Sequence, residues 1–296
     1  MRVAILGMGP SADTYARHVA GAGDKRKVFD EVWTVNAFGS VFKADRVFHM
    51  DDIRIQQIRA DAGNEQIANL LDYLQDAPGP IYTSRALSKD PNPHFDHVEK
   101  TLADLKGDGE TLPNGMTERA YLEGVMRWML AEKKLQARGG FEGLVDYPIA
   151  QVLSNTGGPP YFTSTVPYAI AMALAGKAGG LPEDVDWLAM FGVDYSHINI
   201  IKAEVGRACC EFWLGRCIER DIKLQMPVDT WLLGTSTKAR MYGYDTASLN
   251  CAFAEDGTCT VTMKIKPAPT ADEIEGDYSH HKVAKETWTV DRECAA

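Results

Sequence analysis

The chain has 296 residues, enough for one large α/β domain or for a domain with an appendage, and 45% of them are hydrophobic, as in an ordinary globular enzyme. Its formal charge of −10 gives no global attraction for nucleic acid, so a polyanionic acceptor would need a local basic patch. No apolar run reaches the roughly 18 residues of a membrane span, and Met1-Arg2 leads directly into a strand pattern, so neither a membrane anchor nor a signal peptide is expected and the expected location is the cytoplasm.

The first strand pattern, Arg2–Leu6, runs into Gly7-Met8-Gly9-Pro10-Ser11 and then into helical spacing. A strand entering a helix through a glycine turn presents backbone N–H groups and the positive end of the helix dipole, which suits phosphate. Pro10 pre-sets the first helical turn, and Ser11 adds a hydroxyl. The run fits G-x-G-x-x-A, yet the second strand, Glu31–Val35, ends in Asn36, where a dinucleotide site wants an acidic residue for the ribose. A mononucleotide is therefore favoured over NAD, with a purely structural glycine turn as the other reading.

Strand patterns follow at 46–49 and 79–83, with helical spacing at 53–59 and 65–74 between them. Residues 87–115, rich in Pro, Asp, Asn, Gly and Lys, read as an irregular excursion or lid. The spacing then predicts a helix over 118–136, a strand over 149–153, a helix over 164–175, a strand over 187–192, a helix over 201–219 and a strand over 222–225. This alternation predicts an α/β fold with a Rossmann-like, mostly parallel sheet and helices on both faces. Past residue 232 the pattern changes, and two strand-like runs, 247–253 and 259–265, flank Glu255-Asp256-Gly257 as in a hairpin. The expected organisation is a nucleotide-binding domain over 1–232 followed by a β-hairpin and polar tail over 233–296. None of the six cysteines forms a paired C-x-x-C pattern, so reduced thiols are expected, three of them on one helix.

In open α/β sheets ligands bind beyond the carboxyl ends of the strands. There the pattern places Gly7, Gly9, Pro10 and Ser11, then Asn36, Asp51 with Asp52, and Thr83-Ser84-Arg85. Further along come Ser154-Asn155-Thr156-Gly157 and Asp194-Tyr195-Ser196-His197. Thr163 and Ser164, ahead of Pro167, mark a second helix start that reads equally as a plain cap or as a second ligand-binding N-terminus. His197 is the acid–base candidate, because imidazole titrates near neutral pH and Asp194 is close; a surface or capping histidine is the bland alternative. Asp51 and Asp52 could orient a sugar hydroxyl or hold a divalent cation, but neighbours in a strand point to opposite sides, so no dedicated metal site is expected.

These motifs resemble those of the bacterial sialyltransferase-like fold and of the related family similar to the archaeal 6-hydroxymethylpterin diphosphokinase. The resemblance rests on Gly7 to Ser11, Val35-Asn36-Ala37-Phe38, Phe48-His49-Met50-Asp51, Phe162-Thr163-Ser164 and Met190-Phe191-Gly192-Val193-Asp194-Tyr195, in that order. It implies a transferase in which Gly9, Ser11, Asn36, Thr163 and Ser164 hold the nucleotide of a nucleotide-sugar donor. His197 then takes a proton from a hydroxyl acceptor, with Asp194 and Tyr195 beside it. Met8 stands where the sialyltransferases place asparagine, and Thr165 where they place glycine. Their lid before the histidine is nearly absent, which leaves Tyr195, Tyr242 or Tyr244 to steady the leaving phosphate. Segments such as Cys210-Glu211-Phe212-Trp213 are similar to bacteriophage members of the wider group, which extends the acceptor class to a modified nucleobase in phage DNA and the location to the host cytoplasm. Two alternatives stand beside glycosyl transfer. One is magnesium-dependent pyrophosphoryl transfer from ATP onto a hydroxymethyl group, and the other is a nucleotide-binding phage protein without turnover. A homo-oligomer is compatible with each.

Overall fold

A computed structural model describes residues 1–23, 28–195, 201–227, 230–234, 247–253 and 259–265. The chain divides into two compact units, Met1–Thr237 and Lys238–Ala296.

The first unit holds a seven-stranded sheet made of β1 (Arg2–Leu6), β2 (Glu31–Val35), β3 (Arg46–Phe48), β4 (Ile81–Thr83), β5 (Leu144–Asp146), β6 (Trp187–Phe191) and β7 (Lys223–Gln225). Their spatial order is β5-β4-β3-β2-β1-β6-β7, and every neighbouring pair is parallel. Parallel strands need crossovers that cover both faces, so the central ones are apolar throughout rather than alternating. In β1 the consecutive residues Val3, Ala4, Ile5 and Leu6 are all fully buried.

Among the described residues eight α-helices supply the cover: α1 (Ala12–Ala22), α2 (Ile53–Asp61), α3 (Glu65–Asp76), α4 (Phe95–Asp104), α5 (Glu118–Arg138), α6 (Ile149–Thr156), α7 (Thr165–Ala175) and α8 (Ile201–Glu219). Val3, Ile5, Val35, Phe48 and Met190 share one core with α7 and with Cys209, Cys210, Trp213 and Leu214 of α8. Across the sheet, Ala4, Leu6, Val32 and Phe191 pack with Tyr15 of α1, while Val47, Ile81 and Leu144 pack with Leu71 and Leu74 of α3 and Leu135 of α5. Helix α7 lies so deep that every residue from Ala169 to Ala175 is buried, which is why its sequence lacks a polar face. Cys209, Cys210 and Cys217 of α8 are free thiols, all buried.

Chain order reverses at β1. Strands β2 to β5 extend to one side of it, and the chain then crosses back to lay β6 against its other edge. The gap between the carboxyl ends of β1 and β6 is thus the topological switch point, where such sheets open a crevice.

Two expectations need correction. Residues 149–153 are helix α6 rather than a strand, since Ile149, Val152 and Leu153 fall at i, i+3 and i+4 and line one helical face. The fifth strand is β5, just before it. The supposed irregular excursion at 87–115 contains α4, whose Val98 is buried and which packs on α5. In the second unit, β8 (Ala247–Phe253) and β9 (Cys259–Ile265) pair antiparallel from Ala247↔Ile265 to Phe253↔Cys259. Among the described residues no helix is long and apolar enough to cross a membrane.

A buried charge pair ties the β4 side of the sheet to α5. Arg54 of α2 is 0% exposed and Glu132 of α5 is 3% exposed; Arg54 Nη2 lies 2.6 Å and Nε 2.9 Å from Glu132 Oε1. The remaining guanidinium donors reach Asp52 Oδ1 and the carbonyls of Arg85 and Ala86, which fastens the segment after β4. Breaking such a pair from one side leaves an uncompensated charge in the interior. Glu132→Leu is therefore expected to lower unfolding free energy in urea by about 3–5 kcal/mol, with a substantial part recovered when Arg54→Met is added. Equal losses in the single and double variants would contradict this account.

Candidate functional site

The glycine turn after β1 is packed directly against the turn after β6. Gly7 N–H donates to Phe191 O at 2.8 Å and Gly9 N–H to Gly192 O at 2.7 Å. A Cβ on Gly9 would lie 2.5 Å from Asp194 Oδ2 and 2.8 Å from Gly192 O, so backbone approach alone demands glycine there. Gly192 has φ +67° and faces the Gly7 carbonyl too closely for any side chain.

Asp194 closes this junction. Its Oδ2 accepts the Ser11 N–H at 2.8 Å, its Oδ1 accepts the Ser11 hydroxyl, and Ser11 Oγ in turn accepts the Gly192 N–H at 2.7 Å. The carboxylate thus sits at the N-terminus of α1, where the helix dipole and the free N–H groups favour negative charge. The turn's N–H groups are not bare; the chain's own anion occupies the place where phosphate was expected. Asp194 also fixes the segment after β7, because its carbonyl accepts the Trp231 N–H at 3.0 Å.

The second helix start is differently disposed. Ser164 is the N-cap residue of α7 but makes no side-chain cap bond, which leaves the first-turn N–H groups of Thr165 and Val166 without that cap, Pro167 having no N–H. Around it the chain gathers hydroxyl and amide groups. Thr165 Oγ1 donates to Asn36 Oδ1 at 3.1 Å, and the Tyr195 hydroxyl lies 3.4 Å from Ser164 Oγ and 3.2 Å from Cys210 Sγ. Thr163 donates to Val205 O of α8 at 3.1 Å. Asn36 and Tyr195, at the ends of β2 and β6, both have left-handed backbones, φ 53° and 48°. Asparagine tolerates that region well; a tyrosine there is held by its surroundings.

Of the residues singled out from sequence, Gly7, Gly9, Pro10, Ser11, Asp194 and Tyr195 meet at the β1–β6 junction, and Asn36, Thr163 and Ser164 join them through α7. Asp51 and Thr83 lie farther along the same edge, where the Thr83 hydroxyl donates to Asp51 O at 3.3 Å; Ser84, next to Thr83, is exposed. Asp52 caps α2 by accepting the Arg54 N–H at 2.9 Å. Asn155, Thr156 and Gly157 do not join the group. They end helix α6 rather than a strand: Gly157 is its left-handed C-cap, Thr156 bonds back to Val152 O, and Asn155 reaches Ala178 O. Ala178 follows the far end of α7, an 11-residue helix and so roughly 16 Å from Ser164. His197, Tyr242 and Tyr244 lie outside the described residues.

Burial keeps the phenol and the thiol of this region uncharged. It pushes the Tyr195 phenol far above its ordinary value, with the neighbouring Cys210 thiol adding to the effect, and it pushes the Cys210 thiol up in turn. Both are hydrogen-bonding groups in their protonated forms at neutral pH. His49, at the end of β3, was not picked out as a site residue. It is 1% exposed, and among the described residues neither ring nitrogen has a hydrogen-bond partner. Burial lowers its pKa, partly opposed by Asp51.

No protein-family model, curated protein or solved structure matches this chain. The site therefore rests on its own geometry. A cavity of about 460 Å³ opens elsewhere, between α2, α3 and α5, and its lining includes none of the strand-end residues.

Ser11→Ala removes a charge-assisted donor to Asp194 and strands the Gly192 N–H; a loss of about 1.5–3 kcal/mol in urea unfolding is expected. His49 supplies a pH signature. Its folded pKa lies below the ordinary 6.5, so as pH falls through that value the unfolded chain binds a proton that the native state refuses. Stability present above pH 6.5 is then lost with a slope of up to about 1.4 kcal/mol per pH unit until the folded pKa is reached. A His49→Phe variant should unfold in urea with a visibly flatter profile over that window, and an unchanged profile would assign the slope to other groups.

Proposed function

We propose that the protein is a glycosyltransferase that takes a sugar from a nucleotide-sugar donor bound at the β1–β6 switch point, with the donor phosphate on the N-terminus of α7. The observation that carries this reading is the contrast between two helix starts at one crevice. Asp194 fills the first, whereas Ser164 leaves the second uncapped among Asn36, Thr165 and Tyr195. A helix N-terminus with free N–H groups and convergent hydroxyls suits a phosphate. Asn36 in place of a ribose-binding carboxylate favours a mononucleotide over NAD. The resemblance to the sialyltransferase-like fold supports the same assignment.

In the reaction, an acceptor hydroxyl attacks the anomeric carbon, the bond from that carbon to the phosphate oxygen breaks, and the phosphate leaves with the electron pair. The charge developing on that oxygen is met by the α7 N–H groups and by the Tyr195 phenol, which burial keeps as a donor. His197 is the proposed base for the acceptor proton, from its place just past β6 in the sequence. Asp194 is bound on both oxygens and acts as a positioning residue for the two turns.

A thermal-shift panel of CMP, UDP, GDP, ADP and ATP, with and without magnesium, tests the donor assignment. A true ligand at a hundred times its Kd adds about 2.7 kcal/mol of stability. Tyr195→Phe is expected to weaken that ligand roughly tenfold or more, since a hydrogen bond to a charged phosphate is lost. A panel in which no nucleotide raises Tm, or a Tyr195→Phe protein of unchanged affinity, would refute the reading. Binding that appears only with magnesium would favour phosphoryl transfer instead.

A further inference from the structure

Trp128 of α5 carries two guanidinium groups over its indole ring, with Arg54 Cζ 4.6 Å and Arg85 Cζ 4.9 Å from the centroid. The ring is itself fixed, because its Nε1–H donates to Asp52 Oδ2 at 2.8 Å. The two arginines differ in how their charge is answered. Arg54 is buried against Glu132 and reaches Asp52. Arg85 is exposed, and among the described residues its guanidinium makes neither an ion pair nor a hydrogen bond.

The Arg54 charge is answered by Glu132 and Asp52, whereas that of Arg85 meets only the ring face, a small attraction at an exposed site. What the ring provides is a bias in position: the Arg85 guanidinium lies over the indole and, among the described residues, none of its donors is used. A planar fork placed in this way matches two oxygens of a phosphate, and part of the cost of ordering the side chain is met before the ligand arrives. Its position fits a substrate as well. Arg85 lies two residues past β4, on the carboxyl edge of the sheet and three strands from β1, roughly 14 Å away. The exposed Ser84 beside it adds a hydroxyl donor. The chain is acidic overall, and carboxylates stand nearby, Asp52 on the Trp128 Nε1–H and Asp146 on the Ala86 N–H; Arg85 is the cation here that neither of them pairs, which leaves it for an anionic substrate.

We propose that Arg85, stacked on Trp128, forms a second subsite that anchors a phosphate ester, separate from the donor crevice and independent of its assignment. Two sources share this chemistry: a small phosphorylated molecule and the backbone of a single-stranded nucleic acid. The test titrates the full chain with methyl phosphate and with a short single-stranded oligonucleotide, following Trp128 fluorescence against a Trp128→Phe background, with melting curves for each variant. Wild type should show saturable quenching. Arg85→Gln should weaken it by about tenfold or more, and Arg85→Lys by less, because a lysine keeps the charge and loses the fork. Oligonucleotide binding much tighter than that of methyl phosphate would assign the site to a nucleic-acid backbone, and comparable binding to a small ester. Absence of saturable quenching in wild type, or equal affinity in a folded Arg85→Gln protein, would overturn the proposal. Tyr195→Phe should leave this binding unchanged, so a failure of the donor assignment and a failure of this subsite are read separately.

Discussion

The carboxylate of Asp194 against Ser11 is the contact on which the rest of the site depends. It joins two turns 183 residues apart in sequence, one after β1 and one after β6, at the point where strand order reverses. Glycines at 7, 9 and 192 let the two backbones approach, and Ser11 and Asp194 then occupy the remaining space with charge-assisted bonds. The negative end of this device sits on the α1 dipole, so its electrostatics are satisfied internally. The α1 start is thereby closed to a second anion, which is why the proposed donor phosphate is assigned to the next helix start, that of α7.

Much of this was legible from sequence, for physical reasons that can be traced. β1, β2 and α8 have the extents their patterns predict, because continuous apolar runs beside turn residues, or a long proline-free segment, leave few alternatives. The strands of the hairpin also fall where their pattern places them. Helix α6 was misread because a short apolar run looks alike in a buried strand and a buried helix; the i, i+3, i+4 spacing of Ile149, Val152 and Leu153 was the signal available. That error carried Asn155, Thr156 and Gly157 into the site, although they serve the end of a helix.

The site residues divide in the same way. Asn36, Ser164 and Tyr195 stand at element ends, where sequence can place them, and they do converge on α7. The partnership of Asp194 with the first glycine turn could not be read, since nothing local marks a contact across most of the chain. The same holds for Arg54 and Glu132, which meet across 78 positions, and for His49, whose near-complete burial nothing in the local sequence marks. Charged residues are ordinarily read as solvated faces, so a guanidinium that is completely enclosed is the kind of feature that pattern reading passes over.

The polar groups at the switch point have one property in common. Tyr195 and Cys210 are held protonated by burial, and Asp194 spends both oxygens on Ser11. Neither the phenol nor the thiol is poised to exchange a proton near neutral pH. On the proposed reading, such an environment binds and polarises: its fixed dipoles, hydroxyl donors and N–H groups would meet a charge that forms during reaction without reorganising. On the proposed reading, proton transfer then has to come from a group of different character, and the sequence offers His197 just beyond Tyr195, since imidazole as a residue type titrates near neutrality; the buried arc around α7 would stabilise a leaving phosphate while that histidine activates an acceptor.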